Sequence, residues 1–179
     1  MNKIPLYKLK KVYHPEKGVA NVLFIKSGDN NTETIFIDKF SKDPVLVKFE
    51  IHSPLGLEVL KYTAERLKLQ KNIKKWVKAL DSGKYKQCKE KLQRRDTYCC
   101  LGVACKIFIP KNKQLTIDEN LYGCLPSSQT NTPEWLRNIN DEFESKTDRT
   151  LSALNDFENF TFSEIATVLE LTYIHDILD

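Results

Sequence analysis

The sequence predicts an α+β fold, a small antiparallel sheet at the N-terminus followed by a mainly helical domain. Three observations predict it. Val45, Val47, Phe49 and Ile51 alternate with Leu46, Lys48, Glu50 and His52, the period of two that marks a strand with one apolar face. Ile73, Trp76, Val77 and Leu80 recur at i, i+3, i+4 and i+7, the stripe of an amphipathic helix. The period changes at Ser53, which divides the chain into an antiparallel β region at 1–52 and a mainly helical domain at 53–179.

The β region reads as four strands. Tyr7 to Tyr13 is followed by a Pro- and Gly-containing turn at His14–Gly18. Val19 to Lys26 ends at Ser27-Gly28-Asp29-Asn30-Asn31, the strongest turn signal in the chain, and Thr34 to Asp38 leads to the alternating run at 45–51. Short connections between successive strands favour a meander.

Helices follow. Ser53-Pro54 is a start signal, because Ser caps and Pro at the first helical position gives up no needed N–H. Leu57, Leu60, Ala64 and Leu67 are the expected apolar face there. A second helix is expected from Asn72 to Asp81, with Gly83 placed for a left-handed C-terminal cap. Tyr98 to Ile109 is apolar and long enough to suit a buried helix better than a strand. The stretch 110–131 reads as irregular, with a small hairpin around Leu115-Thr116-Ile117 and Leu121-Tyr122. Thr132-Pro133-Glu134 opens a helix carrying Trp135, Ile139 and Phe143. Leu154-Asn155-Asp156 reads as a turn. Thr161-Phe162-Ser163-Glu164 is a capping box leading Ile165, Val168, Leu169 and Ile177.

Composition excludes little beyond disorder. Of 179 residues, 41% are hydrophobic and 29% charged, an ordinary balance for a globular chain. The net charge of +4 demands neither nucleic acid nor membrane. No apolar run approaches the ~20 residues of a spanning helix, and Met1-Asn2-Lys3-Ile4-Pro5 lacks an apolar signal region, so the expected compartment is the cytoplasm.

The distribution of charge is more telling. Thirteen lysines and arginines lie between Lys61 and Arg95, opposed there only by Glu65, Asp81 and Glu90. From Pro133 onward the sign reverses. Either the two halves face each other with opposite fields, or the basic part meets an anion from outside.

Four motifs occur in a definite order. Trp76-Val77-Lys78-Ala79-Leu80-Asp81-Ser82-Gly83-Lys84-Tyr85-Lys86-Gln87 leads to Tyr98-Cys99-Cys100-Leu101-Gly102-Val103-Ala104-Cys105. Leu154-Asn155-Asp156 and Phe162-Ser163-Glu164-Ile165-Ala166 follow. In this order the chain resembles a family of small hypothetical proteins of tailed phages and prophages, with W-V-x-A-L-x-S-G-x-Y-x-Q, C-C-L-G-V-x-C and L-N-D…F-x-E-I-A motifs. The resemblance covers 72–178. The N-terminal β region and the long basic link between Gln87 and Tyr98 depart from it. What it implies is a phage origin and the cytoplasm of an infected bacterial host. It brings no chemistry and no catalytic residue with it.

The residues themselves point to binding rather than catalysis. The five cysteines, Cys88, Cys99, Cys100, Cys105 and Cys124, are an odd number with one adjacent pair, a poor disulfide framework. They also lack the paired spacing of a zinc site, so they are expected to pack as small apolar residues, with no metal and no cofactor. Of the histidines His14, His52 and His175, none is placed locally to activate a thiol, and any pairing with His175 would have to be made by the fold. No glycine-rich phosphate loop is present. The expected binding residues are Lys84, Tyr85, Lys86, Gln87, Lys91, Arg94 and Arg95, where cations can hold phosphates and an aromatic can stack on a base. The same charges could dock an acidic protein surface. Three functions therefore stand side by side. The first is a non-enzymatic phage accessory protein that binds and modulates a host factor, such as a host defence. The second is a nucleotide or nucleic-acid binding module, including one that sequesters a nucleotide signal. The third is a small enzyme of unknown reaction.

Overall fold

The computed structural model describes residues 11–14, 18–27, 33–37, 47–50, 53–110 and 133–175. Outside these lie the start of the first expected strand, most of the turn at 27–31, the expected hairpin around Leu115 and Tyr122, Cys124, His52 and Ile177. The architecture is α+β, with a sheet preceding the helices. Two compact units divide at Leu69/Gln70.

In the first unit, β1 (Lys11–His14), β2 (Gly18–Ser27), β3 (Glu33–Ile37) and β4 (Val47–Glu50) pair in sequence order, all antiparallel. This is the expected meander. Its register runs from Lys11 opposite Asn21 to Thr34 opposite Glu50, with one irregularity between Val22 and Phe24.

Where two helices were expected there is one, α1 (Pro54–Leu80). Ser53 does cap it, its Oγ accepting from the Gly56 N–H at 3.1 Å. No residue from 57 to 80 is Gly or Pro, so nothing stops the helix between the two apolar stripes. The first stripe was misplaced. Leu57 and Leu67 are exposed, and the buried positions are Val59, Thr63 and Arg66, one residue or about 100° round the helix. The reason is polar. Thr63 Oγ1 accepts from the Tyr13 N–H at 2.9 Å while donating to the Val59 carbonyl at 2.7 Å, and the Arg66 guanidinium lies 5.9 Å from the Tyr13 ring centre. One hydrogen bond and one cation–π contact to β1, invisible to an apolar count, go with the face that turns inward.

The second unit is built on the end of α1. Ile73, Trp76, Val77 and Leu80 are buried, as their spacing predicts. They join α2 (Cys100–Phe108), α3 (Glu134–Thr147), α4 (Leu151–Asp156) and α5 (Phe162–Tyr173) in the core. Trp76 is fully buried, and its indole N–H donates to the Cys100 carbonyl at 3.0 Å, so the largest core side chain leaves no polar atom unpaired. Gly83, just past α1, has φ +67°, the left-handed conformation expected of it. In α3 the buried residues are Leu136, Ile139 and Phe143. Trp135 is half-buried, edge-on to Phe108 and to Trp76. Pro133 precedes that helix rather than opening it, and no side chain caps it. The capping box of α5 is complete: Thr161 Oγ1 accepts from the Glu164 N–H, and Glu164 Oε2 accepts from the Thr161 N–H at 2.7 Å.

Two local expectations change here. Leu154-Asn155-Asp156 is the last turn of the short helix α4, started by Thr150 capping the Ala153 N–H, not a free turn. The basic link is also not a linker. It folds into a three-stranded sheet of β5 (Lys86–Gln87), β6 (Gln93–Arg94) and β7 (Thr97–Tyr98), in the order β5-β7-β6, parallel on one side and antiparallel on the other.

Candidate anion-binding surface

Two-residue strands still have two faces. Lys86, Thr97 and Arg94 stand opposite one another across the sheet, and Gln87, Tyr98 and Gln93 form the next row. Because side chains alternate, the first row shares one face and the second row the other. The first row is outward: Lys86 and Arg94 are exposed on either side of the Thr97 hydroxyl. The second row lies on the other face, where Tyr98 is buried, Gln93 half-buried and Gln87 exposed.

One buried side chain holds the inner face. Asn155, fully buried at the end of α4, uses every hydrogen-bonding position it has. Its Oδ1 accepts from Gln87 Nε2 at 3.0 Å and from the Cys100 N–H at 3.3 Å. Its Nδ2 donates to the Cys88 carbonyl at 2.8 Å and to Asp156 Oδ1 at 2.6 Å. A flipped amide would set oxygen against a carbonyl and a carboxylate, so the network fixes the orientation. Gln87 Nε2 donates further to the Phe160 carbonyl at 2.7 Å, and the Lys89 ammonium donates to Asn159 Oδ1. The β5 edge, the start of α2 and the end of α4 therefore meet at the Asn155 amide, and Gln87 and Lys89 tie the turn after α4 to them.

A second device presses the sheet onto α2. A Cβ on Gly102 would stand 1.7 Å from the Leu92 carbonyl oxygen, so only glycine allows this approach. The same carbonyl accepts from the Cys99 N–H at 3.2 Å. Cys99 caps α2 with its sulfur, Sγ accepting from the Gly102 N–H at 3.3 Å, and the Cys100 thiol donates to the Leu151 carbonyl at 3.4 Å.

The four described cysteines are free thiols, Cys99, Cys100 and Cys105 buried and Cys88 half-buried. The bond to Cys99 and then burial hold the Cys100 thiol far up, burial pushes Cys105 up to about 12, and burial raises Cys88. Each shift disfavours the thiolate a nucleophile needs. Among the described residues no group of three or more His, Cys, Asp and Glu is placed to hold a metal ion.

The expected binding residues divide by role. Lys84, Lys86, Arg94 and Arg95 are exposed and Lys91 is half-buried. Among the described residues none of these five has an ion-pair partner; the ion pairs found are Lys146–Glu142 and Arg149–Glu158. Arg95 has φ +53° in the two-residue β6–β7 connection, and Glu90 has φ +66°. Gln87 is exposed as well, yet its amide is spent on Asn155 and Phe160, so it positions the sheet. The Tyr85 ring meets Tyr98 edge-to-face at 5.6 Å, with the Lys84 ammonium 5.7 Å from its centre, so it is already engaged. Sequence reading missed the part played by Asn155 and by Phe157. Phe157, in the turn after α4, is 78% exposed, and nothing in the spacing of its neighbours signals that.

The second unit is therefore an α+β domain whose helical core presents a small cationic sheet, pinned from behind by a neutral buried amide. The chain belongs to the family described as Domain of unknown function (DUF8296), matched over residues 69–173. No curated protein and no solved structure matches it.

Proposed function

We propose that the chain is a non-enzymatic phage accessory protein that works in the cytoplasm of the infected bacterium. There it binds and modulates a host factor, a defence component being the case we favour, through the cationic face of β5–β7. The phage setting rests on the ordered motifs between Trp76 and Ala166. One observation carries the binding reading: among the described residues, Lys84, Lys86, Lys91, Arg94 and Arg95 have no ion-pair partner, in and beside a sheet held down by neutral hydrogen bonds. Had these charges served an internal interface, the carboxylates that dominate the chain after Pro133 would be their natural partners. Among the described residues they are not. No helix among the described residues is long and apolar enough to cross a membrane, in keeping with a partner met in solution.

The test is a triple charge reversal, Lys86→Glu, Lys91→Glu and Arg95→Glu, compared with the native chain for melting temperature and for retention on immobilised polyphosphate. The proposal expects an almost unchanged melting temperature and lost retention. A large drop in stability with retention intact would mean that the charges are structural. The exposed Phe157 favours a second reading, a nucleotide or nucleic-acid binding module.

A further inference from the structure

The turn Phe157-Glu158-Asn159-Phe160 is joined to the cationic sheet at two points, through Gln87 Nε2 on the Phe160 carbonyl and the Lys89 ammonium on Asn159 Oδ1. Arg149 lies on its other flank, its guanidinium Nε 3.0 Å from the Glu158 carboxylate. An aromatic ring 78% exposed thus belongs to a turn that Lys89 and Arg149 each contact, with Asp156 and Glu158 as its neighbours in sequence, and the turn is fastened to the edge of a sheet that carries further cations. A single exposed apolar side chain is ordinary on a protein surface, so it is the setting of this ring that points to a use.

A protein partner would cover it as part of an apolar patch, since interface cores are apolar and bury roughly 800 Å² per side. Around Phe157 that patch is missing among the described residues. Asp156 is half-buried, Glu158 and Asn159 are exposed, and the other exposed large apolar side chains are four on α1 and Leu171 on α5. A lone ring on a turn contacted by two cations fits a different ligand, one that offers flat apolar faces one at a time along a chain of negative charges. That is the chemistry of unpaired nucleic acid, bound by stacking on aromatics and by cations along its backbone. In a duplex the same base faces are hidden.

We infer that the anion bound by this surface is a single-stranded nucleic acid with one base stacked on Phe157 and its phosphates on Lys89, Lys86 and the cations of β6–β7. This inference rests on the anion-binding reading above and adds the ring, the base and the preference for single strands. Tyr85, the aromatic that the sequence offers first, is not used in this way because Tyr98 and Lys84 already occupy it.

The probes are a fluorescein-labelled 20-mer of mixed single-stranded DNA, the same sequence as RNA, its duplex, inorganic polyphosphate, which carries charge without bases, and polyglutamate. The variants are Phe157→Ala, Phe157→Leu, Phe157→Trp and the triple charge reversal. The expected result is tighter binding of the single strands than of the duplex. Phe157→Ala and Phe157→Leu should each weaken it about tenfold, the size of one stacked base, while Phe157→Trp retains it. Polyphosphate binding should be indifferent to Phe157 and lost on charge reversal. If polyphosphate binds but single strands gain nothing from Phe157, stacking is refuted and the anion surface stands. Equal binding of polyglutamate and oligonucleotide, or full retention by Phe157→Leu, overturns the nucleic-acid assignment. If no polyanion binds at all, the anion-binding reading fails as well. The ring is exposed, so the melting temperature of each Phe157 variant should match the native chain and leave the comparison clean.

Discussion

Replacing Gly102 by alanine adds one methyl group at a place where helix physics and packing disagree. In a helix interior, Gly→Ala alone stabilises by about 1 kcal/mol. Here the new Cβ would stand 1.7 Å from the Leu92 oxygen, 2.7 Å from its carbonyl carbon and 3.3 Å from its Cα. All three are backbone atoms, so no rotamer change relieves the clash. Real Cβ contacts essentially never fall below 3.0 Å, so Leu92 must retreat by about 1.3 Å. Its carbonyl accepts from the Cys99 N–H at 3.2 Å, already long, and its side chain is 3% exposed. The retreat costs about 1–3 kcal/mol in displaced packing and about 1 kcal/mol for the broken hydrogen bond. After subtracting the helix gain, Gly102→Ala should destabilise by about 1–3 kcal/mol, a drop in melting temperature of about 4–12 °C for a unit of this size. Thermal denaturation followed by circular dichroism measures it. An unchanged or raised melting temperature would refute the reasoning, because helix propensity would then act unopposed and the basic sheet could not lie on α2 at this point.

Three further outcomes follow from the same contacts. Asn155→Ala should cost about 2–4 kcal/mol in urea unfolding, since it strands the Cys88 carbonyl and the Cys100 N–H behind the sheet. The Glu164 carboxyl is held below its ordinary value of 4.5, chiefly by the Thr161 N–H. A lowered folded value stabilises above the ordinary pKa and loses that contribution as pH falls through the lowered one. The advantage of the native chain over Glu164→Gln should therefore be full at neutral pH and fade below about pH 4.5 in melting curves. In the native protein iodoacetamide should modify Cys88 before Cys99, Cys100 or Cys105. With Cys105 pushed up to about 12, only about one thiol in 10,000 is ionised at pH 8, and peptide mass spectrometry before and after unfolding reads the order.

Elements that follow from apolar period and turn chemistry were legible. The meander, the Ser53 cap, the stripe Ile73-Trp76-Val77-Leu80, Gly83 and the Thr161–Glu164 box all rest on short-range rules. What the rules missed was settled by polar contacts between distant residues. Thr63 and Arg66 turn inward in place of Leu57 and Leu67 because β1 offers them a partner about fifty residues away in sequence. Strands as short as Lys86–Gln87 cannot show a period, so the basic sheet reads as a link. Asn155 looks like a turn residue because the four bonds that make it a hub come from Gln87, Cys88, Cys100 and Asp156, only the last of them its neighbour in sequence. Of the candidate site, the cations were legible as a cluster. The outward face that Lys86 and Arg94 share, and the amide that fixes it, were not.

A neutral anchor has a consequence for the field of this sheet. A buried carboxylate roughly 8 Å beneath a cation, at an effective dielectric of about 20, would attract it by about 2 kcal/mol and cancel much of the outward potential. Asn155 pins the sheet through the uncharged Gln87 amide and Cys88 carbonyl, and only the half-buried Asp156 carboxylate that it also holds offsets part of that potential. The cost is mutual repulsion, and it is small. Lys86 and Arg94 are separated by the width of two strand spacings, roughly 10 Å, where two exposed charges in water repel by about 0.4 kcal/mol before screening. The bonds at Asn155 and Leu92 outweigh a few such terms. If this ledger is right, raising salt from low to about 0.5 M removes a weak internal repulsion and should leave the melting temperature flat or slightly higher, while it strips polyanions from the surface. A melting temperature that falls steeply with salt would show that the cations do hold the fold through ion pairs. The sheet would then be a structural element, and its charge no guide to a ligand.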